Sequence, residues 1–423
     1  MILKAGKCSW GRCIFCGWGK LSYPTDFNFI KKQIDAIPPS DELKIFVSGS
    51  LLDKKQFPDE ALDYLVKALK QKGIKRLTIE SRLEYITDEN LKIFKDFDLT
   101  VAIGLEVAND EKLRMLQKGI TLKMFEDAVK ILKRNNVKLR VYLLVNAPFT
   151  SKQDFLDSYN YAKKFTDDIV AINCYPHVKA PIFDMWIKGE WRPLDKHEFE
   201  EWTKGLDVER DFTNFNFVPR IPKEKWDDLR GVGEKYLTHP HYDVWQDYFA
   251  RFYKVPKGKE YVLFLPCSYV KPYRKSKTHR AIISTLVRIP NHDKVHQVMI
   301  SSPGVIPREY ENEYPFAYYD WPEDQETPEI KKRYIEVTRE RIKNYLSHHK
   351  YKKVFAYLRP DSESYIALKQ ACDELGINLI TCLDENTYKR VKGKPRALAD
   401  PLCLDKLKQC LTFNLTDVQS DSV

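Results

Sequence analysis

Cys8, Cys13 and Cys16 lie on one short stretch, Lys7-Cys8-Ser9-Trp10-Gly11-Arg12-Cys13-Ile14-Phe15-Cys16-Gly17, spaced C-x4-C-x2-C. Three thiolates on one loop can hold three irons of a [4Fe–4S] cluster and leave the fourth iron open to a substrate or cofactor. Zinc competes with that reading, but it needs a fourth donor, and no further Cys or His follows before Cys174. A disulfide with a spare thiol also competes. Nine cysteines is an odd count, which argues against a fully paired framework.

Three later segments place chemistry-bearing residues where an apolar run stops. Val47-Ser48-Gly49-Ser50 offers a glycine that lets backbone approach a ligand, flanked by hydroxyls. Glu80-Ser81-Arg82-Leu83-Glu84 offers carboxylates able to hold a hydroxyl or an ammonium group. A Glu–Arg pair closing a rim is the plain alternative there, above all for Glu84. Gly104-Leu105-Glu106, followed by Lys118-Gly119, again ends in a carboxylate. Scattered surface charge would rarely put three such ends together.

The elements that must position these groups alternate. Apolar runs at 1–5, 44–47, 76–79, 99–104, 139–145 and 169–173 read as strands. Amphipathic stretches at 57–72, 87–94, 122–135 and 151–165 read as helices, with Ala61, Leu62, Leu65, Val66 and Leu69 at helical spacing. Strand–helix alternation implies a parallel sheet with right-handed crossovers, closing as a partial (β/α)6 barrel. Chemistry in such barrels sits at the C-terminal ends of the strands, where each segment above falls. Residues 1–200 are therefore expected to form the barrel and 201–258 its closure and a helical connector. A second, smaller α/β domain is expected over 259–411, with a flexible tail over 412–423.

That second domain opens with Pro266-Cys267-Ser268-Tyr269-Val270-Lys271-Pro272-Tyr273-Arg274-Lys275-Ser276-Lys277-Thr278-His279, directly after an apolar strand. Cys267, Lys271, Ser276 and His279 at a strand-to-helix passage could bind an anion or position a nucleophile. A basic phosphate-binding turn without catalysis is the alternative. Cys372, Cys382, Cys403 and Cys410 read as small core residues or bystanders, and Cys174 as buried, though close to the barrel mouth. His239, His241, His348 and His349 show no metal spacing with a third ligand and are assigned no site.

The net charge is +10 and 13% of residues are aromatic, which suits a nucleic-acid partner as well as a merely solvated basic surface. No apolar run approaches the roughly 20 residues of a membrane span, and no signal peptide precedes the cysteines. The expectation is a cytoplasmic protein with no membrane partner.

With these residues in view, the first 200 or so positions resemble the radical SAM (S-adenosylmethionine) superfamily, and within it the archaeosine-biosynthesis branch. The resemblance rests on the Cys-Ser-Trp-Gly…Cys-Ile-Phe-Cys-Gly loop, Ser48-Gly49-Ser50, Glu80-Ser81-Arg82, Gly104-Leu105-Glu106, Lys118-Gly119 and Tyr142-Leu143-Leu144. The first cysteine gap holds four residues where most of the superfamily has three. The second domain resembles the lysine-transferring subunit of archaeosine synthase through Pro266-Cys267…Lys271-Pro272-Tyr273…Ser276…His279 and Ser301-Ser302-Pro303-Gly304. The resemblance implies a [4Fe–4S] cluster on Cys8, Cys13 and Cys16, and SAM lined by Ser48, Gly49, Ser50, Glu80, Arg82 and Glu106. It also implies tRNA as substrate, a separate archaeosine synthase subunit as partner, and an electron donor. The implied reaction is C–N cleavage of a lysine-conjugated 7-deazaguanine base, leaving archaeosine. Another radical modification of tRNA, or a non-catalytic docking partner, are the alternatives.

Overall fold

Strands buried on both faces need near-continuous apolar runs, and amphipathic stretches must cover them. The first part of the chain meets both conditions. In the computed structural model, which describes residues 1–212 and 218–415, β1 (Glu42–Ile45), β2 (Arg76–Glu80), β3 (Asp98–Glu106), β4 (Lys138–Val145), β5 (Ile169–Asn173) and β6 (Glu209–Asp211) pair in parallel, in chain order. A strand order that never reverses puts every crossover on one face, and the sheet curls as an open βα barrel. The crossover helix Asp59–Gln71 turns Ala61, Leu62, Leu65, Val66 and Leu69 inward. Burying each of its leucines contributes about 1.5–3 kcal/mol. The helix Lys152–Ala162 starts at a reciprocal cap between Ser151 and Asp154.

The strand expected over 1–5 is not one. Ile2 makes an isolated parallel bridge to Phe46, held by Leu3 N–H to Phe46 O and Phe46 N–H to Met1 O, both 2.9 Å. Gly6 then turns the chain away in a left-handed conformation (φ 48°) toward the cysteine loop, too soon for a ladder to grow. The sixth strand is instead β6, whose Glu-Arg-Asp side chains are all exposed. An exposed edge strand of charged residues, with Glu209 paired to Arg140 of β4, carries no apolar signature.

The chain divides into two compact units, Met1–Phe215 and Asn216–Val423. Of the stretch expected to be closure and connector, β6 joins the first sheet, and the helix Pro240–Arg251 is packed within the second unit. There it buries Trp245 and Phe249 against Phe316 and Tyr310, at ring separations of 5.2 Å for Trp245–Phe316 and Phe249–Tyr310. The second unit has β7 (Leu229–Arg230), β8 (Tyr261–Leu265), β9 (Val295–Ser301), β10 (Gly304–Pro307), β11 (Tyr319–Asp320), β12 (Lys353–Ala356) and β13 (Leu379–Thr381). Five of them form a sheet in the order β10-β9-β8-β12-β13, parallel except for the β9–β10 hairpin, and β7 pairs with β11.

Cys372 and Cys403 are core residues, as expected. Cys382 and Cys410 are not bystanders: they are disulfide-paired, with Cα atoms 5.4 Å apart. Cys382 follows β13 and Cys410 lies on the helix Pro401–Leu415, a juxtaposition that only the fold creates. Residues 412–415 of the expected tail continue that helix, and 416–423 lie outside the described residues. Among the described residues no helix is long and apolar enough to cross a membrane.

Candidate active site

The C-terminal ends of the first unit's strands open onto a cavity of about 590 Å3 that Cys8, Cys13 and Cys16 line together. The loop carrying them is anchored from several sides. Trp10 donates its indole N–H to the Gln117 carbonyl at 2.7 Å, and the guanidinium groups of Arg12 and Arg82 each lie 5.2 Å from its ring centre. Ile14 donates its N–H to Leu116 O at 3.1 Å and accepts that of Ile182 at 2.9 Å. Two of the sulfurs accept backbone amides: Cys8 from Gly11 at 3.5 Å and Cys16 from Gly19 at 3.3 Å. Burial pushes the Cys13 and Cys16 thiols up, and the nearby Lys118 ammonium opposes this.

The donor set is three thiols lining one cavity. It fits a cluster in which each sulfur would take a different iron and leave the fourth open, and amide donors to the sulfurs are among the groups that tune such clusters.

Ser48, Gly49, Glu80, Arg82 and Glu106 line the same cavity. Gly49 is required by close approach, but to the protein itself. A Cβ there would lie 2.8 Å from the Cβ of Cys8 and 2.5 Å from Gln56 Oε1. Ser48 Oγ accepts the Gln56 side-chain amide at 2.9 Å. Ser50 does not line the cavity: it is buried, 3.0 Å from Ser81 Oγ, and donates its N–H to Gln56 Oε1 at 2.9 Å. Arg82 is buried, donates to Glu84 at 2.5 Å, and bonds the Lys118 carbonyl at 3.2 and 3.3 Å. Burial pushes the Glu80 carboxyl up to about 8, although the Lys118 charge opposes it.

Glu106 holds an unusual backbone, φ 66°, where the β3–β4 register slips between Gly104 and Glu106. Its carboxylate accepts Lys118 Nζ at 2.6 Å, and both side chains are shielded, 8% and 13% exposed. The pair lies directly over Gly104, where a Cβ would come 2.3 Å from Glu106 Oε1 and 2.9 Å from Lys118 Nζ. Burial alone would lower the Lys118 pKa, but the charges of Glu106 and Cys13 hold it above its usual value.

Other residues at the site carried no strong sequence signal. Gln56 does not line the cavity but is fully buried and joins the lining residue Ser48 to Ala5 and Ser50. Lys118, singled out in the sequence only as part of Lys118-Gly119, comes from a loop and is held by Glu106. Asn173 donates to Leu194 O at 3.2 Å, while its buried Oδ1 has no partner among the described residues and offers an acceptor to a ligand. A polar residue closing the apolar run of β5 was the available hint. Cys174, beside it, is both buried and part of the cavity lining.

The second unit holds a separate cluster. Its sheet runs outward from β8 in both directions, to β9 on one side and β12 on the other, so the ends of β8 and β12 flank a switch point of the kind where open α/β sheets bind ligands. Cys267 follows β8 there, half-buried, with Lys271 and Arg359 within electrostatic reach. Lys271 Nζ stands 4.0 Å from the centre of the Tyr319 ring, whose hydroxyl is 2.6 Å from that of Tyr273. Burial lowers the Lys271 pKa and raises that of Cys267. Ser276 and His279 have other roles. Ser276 caps the helix Lys277–Leu286 by accepting the His279 amide at 3.1 Å. The buried His279 ring bonds Pro266 O at 2.9 Å and Arg308 at 3.0 Å, and burial beside Arg308 lowers its pKa to about 3.

Comparison with known proteins agrees with this division. Residues 3–162 match the radical SAM superfamily, and residues 243–392 match a domain of unknown function, DUF5591. Archaeosine synthase subunit beta of Methanosarcina acetivorans is 29% identical over 214 residues, 46% of this chain and 62% of that protein. Archaeosine synthase subunit alpha of the same organism is 33% identical over 136 residues, 31% of this chain and 20% of that protein. Among solved structures, a queuine lyase from Clostridium spiroforme bound to SAM and queuine aligns at 22% identity with a TM-score of 0.39, covering 51% of this chain and 89% of that one. The chain spans only part of the length of each curated relative it matches.

Proposed function

We propose that this chain, which joins a radical SAM domain to a DUF5591 domain of the archaeosine-synthase kind, forms archaeosine in tRNA by C–N cleavage of a lysine-conjugated 7-deazaguanine base. The observation that carries the reading is one cavity that gathers Cys8, Cys13 and Cys16 with Glu80, Glu106 and Lys118 at the strand ends of an open barrel. A [4Fe–4S] cluster on the three cysteines, with one iron open, would supply the electron that cleaves bound SAM and so starts hydrogen abstraction.

The remaining chemistry belongs to side chains of the first unit. Glu80, held largely protonated at neutral pH, would face a hydroxyl or the ammonium of SAM with its carboxyl. Glu106, fixed by Lys118, lines the cavity and would offer its carboxylate there. Asn173 Oδ1 takes an N–H or O–H donor at the β5 end. The largely apolar wall of the cavity keeps water from a radical intermediate.

In the second unit, Cys267 and Lys271 would contribute to lysine attachment or to docking the base. Chemistry on a base requires that it be reached outside its stack. A Lys271→Ala variant separates the two roles: lost lysine attachment with retained tRNA affinity supports catalysis, and lost affinity alone supports docking. A separate archaeosine synthase subunit and an external one-electron donor complete the proposed system.

A further inference from the structure

His239 and His241 show no metal spacing with a third ligand in the sequence, but the fold supplies one. Asp227, His239 and His241 bring one ligand atom each within 4.8 Å of one another, a grouping of three found nowhere else among the described residues. Asp227 Oδ2 is 3.4 Å from His239 Nε2 and 3.7 Å from His241 Nε2. These separations are too long for good N–H···O hydrogen bonds, which cluster near about 2.9 Å. They suit two donors sharing an ion, because ligands about 2.0–2.1 Å from a tetrahedral metal sit roughly 3.4 Å apart.

The local sequence holds the donors in place. His239 and His241 flank Pro240, the first residue of the helix Pro240–Arg251, whose ring fixes φ, and their imidazole centres are 4.7 Å apart. The Tyr314 hydroxyl is 2.7 Å from His241 Nδ1 and accepts the Asp227 amide N–H at 3.0 Å, so one group orients two of the three ligands. Trp226 stacks on Tyr314 at 4.6 Å and 7°, fixing that hydroxyl in turn. A hydrogen bond on the ring nitrogen that does not face the ion is how ligating imidazoles are commonly oriented.

We propose that Asp227, His239 and His241 form a binding site for one borderline divalent transition-metal ion, Zn2+ first, with a remaining position open to water. Two imidazoles and a single carboxylate do not suit Mg2+ or Ca2+, which take oxygen-rich shells. The Asp227 side chain is 58% exposed, so the ion enters from solvent. His239 Nδ1 now accepts the His241 amide at 3.2 Å. Coordination through Nε2 puts the ring proton on Nδ1, so that cap contact is released on binding. The ion would clip the segment leading into β7 to the helix Pro240–Arg251.

The test is Co2+ titration of the full chain, with its cysteine loop already loaded with iron and sulfide under anaerobic conditions. The expected result is one Co2+ per chain with ligand-field bands and no sulfur-to-cobalt charge transfer, displaced by Zn2+. Asp227→Asn and His239→Asn each weaken binding about tenfold or more, while the far-UV circular dichroism and metal-free melting of Asp227→Asn match the wild type. Binding unchanged in Asp227→Asn, a sulfur charge-transfer band, or no binding at micromolar Co2+ overturns the assignment.

Discussion

Replacing Lys118 with Met tests the electrostatic centre of the cavity. The change keeps most of the side chain's volume and removes its ammonium, leaving Glu106 with its 2.6 Å partner gone and only 8% of its side chain exposed. Removing one member of a buried ion pair costs about 3–5 kcal/mol, because the remaining charge is neither solvated nor paired. At 1.4 kcal/mol per tenfold, that is about two to three and a half decades in the opening equilibrium. The assay is hydrogen–deuterium exchange of the full chain, read at β3 and β4, where Glu106 interrupts the register. Adding Glu106→Gln should recover most of the loss, since a neutral amide no longer needs a counter-charge. The Lys118 ammonium has no part in pH effects near neutrality. The folded Lys118 pKa is raised above 10.5, so its contribution is complete below that value and is lost only as pH rises through the folded pKa. A single variant that loses less than about 1 kcal/mol, the scale of an exposed pair, or a double variant no better than the single one, would refute this reasoning.

Other expectations follow from the same cavity. The Glu80 carboxyl is raised from 4.5 to about 8, so the folded state binds the extra proton and stability falls as pH rises between those values. Glu80→Gln should flatten that slope by about 2–4 kcal/mol, measured by urea unfolding at pH 5 and pH 8. An unchanged slope would count against it. Gly49→Ala should displace the Cys8 backbone and reduce iron loading after reconstitution, because the added Cβ falls 2.8 Å from that of Cys8. Full loading would show that the loop yields at no cost. Cys13→Ser should lower iron from about four per chain while leaving circular dichroism unchanged, and retention of all the iron would remove Cys13 from the ligand set.

Much of the first unit was legible because its strands are apolar and its helices amphipathic, as in Lys138–Val145 and Asp59–Gln71. The edges were not. Residues 1–5 are largely apolar but make one isolated bridge before the turn at Gly6, while Glu209–Asp211 is an exposed edge strand with no apolar side chain. In the site, the cysteines and strand-end carboxylates announced themselves by spacing and position. Gln56 did not, since it acts behind the cavity by joining Ser48 and Ser50 to Ala5. The Cys267–Ser276–His279 motif read as one cluster, yet Ser276 and His279 hydrogen-bond inward to a helix start and a carbonyl. The Cys382–Cys410 pair and the Asp227–His239–His241 grouping depend on long-range packing that no local spacing encodes.

The central proposal is tested most directly by anaerobic turnover. The full chain is reconstituted with iron and sulfide, reduced, and given SAM with tRNA carrying the lysine-conjugated deazaguanine. Digested nucleosides are read by mass spectrometry beside 5′-deoxyadenosine. Archaeosine should appear together with 5′-deoxyadenosine, and both should vanish in Cys13→Ser. 5′-Deoxyadenosine formed while the nucleoside stays unchanged would contradict the proposed C–N cleavage, and failure to cleave SAM at all would contradict the radical chemistry itself.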